Sequence, residues 1–282
     1  MDFIKIALLY TVVLTAALTA VSCADKSVSK NSVSATDSTV FGIPEESGLY
    51  LLADTSIKGH AYTVYGGTKL SNKYHTIYLK VKDKNGRPVD DKALDLYPEM
   101  NMGQMKHGGP YEHPIPLGEG WYKSNVVFIM ADIPDMGTGW HLHIIRGGET
   151  ARDTVAIKIP VSPASLMRTT SSGTRDDSRV FLSCLLPDTV KQGKMPIQFL
   201  MNKMDHHHFP ALDGYEVRFK TDMPGMRHDF PDNKGAVSAG NGYYEGLINF
   251  SMAGDWEINV ELWKDGKKAN QDEIKYHVHV TP

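Results

Sequence analysis

The chain has 282 residues, 22% of them charged, and a formal net charge of -3. Without a basic stripe, that balance excludes nucleic acid as the partner. Two cysteines cannot make a disulfide scaffold. No Gly-x-Ser-x-Gly elbow, phosphate-binding glycine loop or His-Glu-x-x-His motif occurs, so the chain is not expected to be an enzyme.

In chain order, Lys5 precedes an apolar run from Ile6 to Leu18, and small residues then lead to Ala20-Val21-Ser22-Cys23. A run that short, with a charged start, fits a cleaved signal peptide over residues 1–22 better than a membrane span. Cys23 after Ala-Val-Ser resembles the bacterial lipobox, in which that cysteine is acylated. The expectation is a lipoprotein of the cell envelope, anchored on the periplasmic face or the outer surface. Residues 23–44 are rich in Ser, Thr, Asp and Lys and read as a flexible tether. About 240 residues then remain, enough for two domains of roughly 110 each.

The rest of the chain repeats itself. Met102-Gly103-Gln104-Met105-Lys106-His107 aligns without a gap on Met223-Pro224-Gly225-Met226-Arg227-His228, and Gly120-Trp121-Tyr122 through Met130 aligns on Gly242-Tyr243-Tyr244 through Met252. Trp140 to Ile144 falls on Trp256 to Val260. The spacing gives a first domain over 45–160, a Pro/Ser/Thr/Gly-rich linker over 161–178 and a second domain over 179–282. Trp256, Ile258, Val260 and Leu262 alternate with Glu257, Asn259, Glu261 and Trp263, the period-two pattern of a half-buried strand. Further strands are expected at 75–81, 93–96, 123–129, 155–159, 197–201, 215–220, 244–250 and 274–280. Asn85-Gly86 and Asp265-Gly266 mark tight hairpins. Short strands separated by turns predict an all-β protein of two tandem immunoglobulin-like sandwiches. Cys184, in the apolar run 180–186, is expected to be a buried, inert thiol.

Chemistry enters at the repeated Met/His cluster. Met223-Pro224-Gly225-Met226 predicts a type II turn that brings its first and fourth residues within about 7 Å, so both thioethers can converge. The candidate sets are Met102, Met105, His107 and Met130 in the first copy, and Met223, Met226, His228 and Met252 in the second. Met201, Met204, His206, His207 and His208 form an auxiliary candidate. Thioether and imidazole suit copper(I), and unlike thiolates they are not consumed by disulfide formation. The pairs His141/His143 and His277/His279 are expected on outward faces.

The unit Met-Pro-x-Met-x-His, followed by Gly-x-Tyr, a strand, Met-x-Gly and an alternating Trp strand, resembles the YtkA-like domain, which is related to the FixH family. Here that is Met223 to His228, Gly242 to Tyr244 and Met252 to Trp256, with a looser copy at Met102 to His107 and Met130 to Trp140. The resemblance implies exported β-sandwiches near copper handling or oxidase assembly. The first copy departs from it in having Gly103 for Pro224 and a longer loop over 132–139. The expected role is handling or delivery of a soft metal by a membrane-anchored lipoprotein, with an outer-membrane transporter or metallochaperone client as further partner. The alternatives are a non-enzymatic adhesive or accessory module of an outer-membrane complex, a haem-binding protein, in which Met and His are axial ligands, and a zinc site.

Overall fold

Alternation of apolar and polar residues dictates the architecture. The computed structural model describes residues 42–147, 152–206, 208–226 and 232–282. In the first domain the strands are β1 (Tyr50–Ile57), β2 (His60–Gly66), β3 (Tyr74–Asp83), β4 (Asp95–Met102), β5 (Met105–Gly108), β6 (Ile115–Gly118), β7 (Trp121–Val127), β8 (Gly139–Arg146) and β9 (Asp153–Ile159). One sheet runs β1-β2-β3-β7-β6 and the other β5-β4-β8-β9. His75, Ile77, Leu79 and Val81 of β3 face inward to meet Met100, Trp140, Leu142 and Ile144 of the opposite sheet, all but His75 in one apolar core. Each large apolar side chain removed from water there contributes about 1.5–3 kcal/mol.

The second domain contains β10 (Thr169–Gly173), β11 (Arg179–Cys184), β12 (Val190–Lys191), β13 (Gly193–Lys203), β14 (Glu216–Asp222), β15 (Lys234–Gly240), β16 (Tyr243–Phe250), β17 (Gly254–Lys264), β18 (Lys267–Lys268) and β19 (Ile274–Thr281). Its layers are β10-β11-β13-β16-β15 and β14-β17-β19-β12, with β18 hairpinned to β17; a single register pair, Val217 with Ala236, connects β14 to β15. Trp256, Ile258, Val260 and Leu262 are buried as their alternation requires. The protein is therefore all-β, built as two sandwiches, and among the described residues no helix is long and apolar enough to cross a membrane. The segment 161–178, expected to be a linker, contains β10, which pairs with β11 from Thr169–Ser183 to Gly173–Arg179. Val161, at its start, is buried in the first core. The connection proper is thus confined to the residues between Val161 and Thr169.

The repeat seen in the sequence recurs bond by bond. Gly120 and Gly242 both take φ near +77 (+76 and +77), and a Cβ on either would strike a backbone carbonyl, that of Val81 or Met201. Their N–H groups donate to Asp90 at 2.7 Å and Asp213 at 3.0 Å. Two residues on, the hydroxyls of Tyr122 and Tyr244 donate to the carbonyls of Val89 and Leu212, each at 2.8 Å. Only glycine enters the left-handed region at no steric cost while letting two chains approach this closely, so each Gly-x-Tyr corner is a requirement of the fold.

The sandwiches also touch. Tyr74 of β3 bonds the hydroxyl of Tyr243 at 3.2 Å, Tyr243 donates to the Glu112 carboxylate, and Lys73 pairs with Asp188.

Candidate metal centre

In the first domain the β4–β5 hairpin gathers most of the predicted set. Met102 lies directly opposite Met105, and Met100 opposite His107. Opposed residues in an antiparallel pair share a face, as do residues two apart, so all four belong to the inward face. Met100 is fully buried; Met102 and His107 are half-buried, whereas Met105, beyond the sandwich end, is 66% exposed. Met130, half-buried three residues beyond the end of β7, completes the set from a different part of the chain. His107 Nε2 stands 3.2 Å from Met130 Sδ.

The imidazole is held in place from two sides. Its Nδ1 lies 2.8 Å from the Gly108 carbonyl, which can only accept, so Nδ1 carries the proton and the Nε2 lone pair is turned toward sulfur. The edge of Trp140 meets the ring at 5.4 Å between centroids and 83°. Trp140 also donates through Nε1 to the Met130 carbonyl at 2.8 Å. One indole thus orients both the nitrogen and the strand end that carries the sulfur, a role its place in an alternating strand did not disclose. Gly109 lets the chain pass close to the strand before Met130, because a Cβ there would lie 2.4 Å from the Val127 carbonyl.

These residues fit a soft ion. Metal–imidazole bonds of about 2.0 Å and metal–sulfur bonds of about 2.3 Å at a tetrahedral angle separate N and S by about 3.5 Å. The observed pair need open by only about 0.3 Å on that estimate. Thioether sulfur needs no deprotonation, and Met102 and Met105 lie on the same face of the hairpin to supply further sulfur. Among the described residues no three His, Cys, Asp or Glu side chains gather as a metal-binding group, so the thioether sets are the candidates.

The second domain repeats part of this. The expected turn forms: Met226 N–H donates to the Met223 carbonyl at 3.0 Å, and Gly225 has φ +89. Met223 is buried, and its Cε lies 2.6 Å from where a Gly254 Cβ would stand, so it packs beside the Met252-Ala253-Gly254 corner. Trp256 donates to the Met252 carbonyl at 3.0 Å, matching Trp140 and Met130. Met226 is 45% exposed. His228 lies outside the described residues, as do Cys23 and His207.

The auxiliary set does not come together. Met201 is fully buried in the second core, whereas Met204, His206 and His208 are exposed on the following loop, where His206 Nδ1 is 2.9 Å from Asp205. Strand alternation places Met201 inward, and the loop begins only after Lys203. The outward histidines are engaged with carboxylates: His143 with Glu99 at 3.3 Å, His277 with Glu257 at 3.6 Å and His279 with Asp255 at 2.7 Å. Burial holds the His143 pKa below its ordinary value, against the opposing pull of Glu99. Cys184 is buried, and desolvation pushes its thiol up to about 12. It is inert, as expected from its apolar strand.

Comparison with known proteins adds three findings. No curated protein matches this chain. Similar solved structures include FdeC, an Escherichia coli adhesin (16% identity over 82% of this chain and 66% of that one, TM-score 0.24). Others are invasin, a bacterial integrin-binding protein (12%, 78% and 40%, 0.23), and the D00-D0 domain of intimin (12%, 76% and 98%, 0.22). The chain thus spans less than two thirds of the first two, and at these values none of them bears on function. The YtkA-like family matches residues 176–261, the stretch that holds the Met223–Met226 turn, the Gly242-x-Tyr244 corner and Met252 with its tryptophan. This part of the second sandwich is a YtkA-like domain.

Proposed function

We propose that the protein is a carrier of a soft metal, copper(I), held through paired thioethers and imidazole at one end of each sandwich. The observation that carries this reading is the His107 Nε2 to Met130 Sδ approach at 3.2 Å, with Nδ1 occupied by the Gly108 carbonyl. Two lone-pair donors from residues 23 positions apart are pre-oriented toward a common point, and Trp140 holds both. In the second domain, Met223, Met226 and Met252 are the ligands, with His228 as the fourth. Acylation at Cys23 would place this carrier on a membrane of the cell envelope, in handling or delivery of the metal to a transporter or metallochaperone client. Thioether sulfur carries no proton to lose, so a competing thioether or thiol can take the metal up by ligand exchange.

The test is anaerobic titration of the chain with copper(I) in the presence of a chromophoric chelator, read together with native mass spectrometry. Retention of one ion per sandwich is expected, with weaker retention of zinc and no haem spectrum. Failure to hold any copper(I) against a chelator of micromolar affinity would remove the reading.

A further inference from the structure

A second, chemically distinct site lies where the two sandwiches meet. A cavity of about 520 Å³ is lined by Thr68, Lys69, Ser71, Lys73, Arg168 and Asp188, together with the connecting segment between the domains. Three cations face one carboxylate there, a surplus of two positive charges, and Thr68, Lys69, Ser71 and Lys73, all from the β2–β3 loop, carry hydroxyl or ammonium donors. Arg168 is the informative member. It is only 6% exposed, yet among the described residues the one hydrogen bond its guanidinium makes is from Nη1 to the His277 carbonyl at 3.3 Å. Among the described residues no carboxylate stands within salt-bridge distance of it. Withdrawing a guanidinium from water without an anionic partner is costly, and a planar five-donor fork is suited to an oxyanion. Lys73 is spoken for by Asp188, but that carboxylate is 68% exposed and held by one contact, so it can swing away when a better anion arrives. Lys69 is exposed, its Nζ 5.8 Å from the Tyr50 ring centroid.

We infer that this junction is a binding site for a phosphate dianion, either free or as a phosphate monoester. The surplus of two charges matches a doubly charged ligand, and the hydroxyls of Thr68 and Ser71, which otherwise turn to the Lys69 carbonyl and to His75, line the same cavity. Because the donors come from the first domain and from the connection, while the competing carboxylate, Asp188, comes from the second, occupancy also fixes how the connection packs. The site uses none of the Met/His residues, so it stands or falls separately from the metal proposal.

The experiment is calorimetric titration of the full chain, in a buffer free of other multivalent anions, with inorganic phosphate, glycerol 3-phosphate and dihexanoyl phosphatidic acid in separate arms. One saturable site is expected. Arg168→Gln should weaken it at least tenfold and Lys69→Gln several-fold, while Asp188→Asn should tighten it several-fold by removing the internal competitor. Tighter binding of glycerol 3-phosphate or the short-chain lipid than of phosphate would assign the site to a monoester headgroup, and equal affinities would assign it to free phosphate. Should Arg168→Gln fail to fold, the two surface variants still decide. The inference is overturned if no arm saturates, or if binding is indifferent to both Lys69→Gln and Asp188→Asn.

Discussion

Replacing Met130 with leucine separates packing from coordination. The side chain is half-buried against the first core, and a volume-conserving swap there costs less than about 1.5 kcal/mol of stability. The thioether that faces His107 at 3.2 Å is nevertheless lost. At free copper(I) one hundred times its dissociation constant, a ligand bound only by the folded state adds about 2.7 kcal/mol. If losing one sulfur weakens binding a hundredfold, the same copper concentration sits at the variant's dissociation constant and adds only about 0.4 kcal/mol. The difference of about 2.3 kcal/mol corresponds to about 9 °C at roughly 4 °C per kcal/mol for a unit of this size. Thermal unfolding followed by circular dichroism, with buffered copper(I) and without it, reads this directly. Trp140→Phe should also shrink the copper-induced shift although it removes no ligand, because the bond from Nε1 to the Met130 carbonyl at 2.8 Å disappears. Equal copper-induced shifts in wild type, Met130→Leu and Trp140→Phe would refute the reasoning, whatever their baselines.

Gly225→Val meets no neighbour within 4 Å, but φ +89 is costly for a β-branched residue, so second-domain copper affinity should fall while the melting temperature of the metal-free protein changes by only a few degrees. His75 is buried, and desolvation, with Lys73 nearby, lowers its pKa to about 4 from an ordinary 6.5. The unfolded chain then binds the extra proton between about pH 6.5 and pH 4, so stability is fully present above 6.5 and declines as pH falls through that window, by on the order of 3 kcal/mol. Urea unfolding at pH 7, 6, 5 and 4 should show this slope flattened in His75→Asn; an unchanged slope would contradict it. Cys23→Ser should move the protein from the membrane to the soluble fraction, as fractionation and immunoblotting would show, if acylation is its anchor.

Period-two alternation, the Gly-x-Tyr corners and the Pro-Gly turn are local features, and the sequence by itself determined them. Strand β17 buries the residues its alternation assigns, and Gly225 adopts the positive φ its turn requires. The internal repeat was legible for the same reason, since two copies of one local pattern must build equivalent corners. What the sequence left open depends on contacts between distant segments. Strands β1 and β10 have weak alternation, and they are strands because partners on β2 and β11 satisfy their backbone groups. Met201 looked like a ligand beside three histidines, but its strand position turns it into the core. Met100 passed unnoticed because its register with His107 exists only once β4 and β5 pair. The meeting of His107 with Met130, the indole that holds both, and the cationic cavity around Arg168 each combine residues from separate strands or from both domains. Only tertiary packing could decide them, because one-dimensional spacing carries no information about which sheet end lies over which loop.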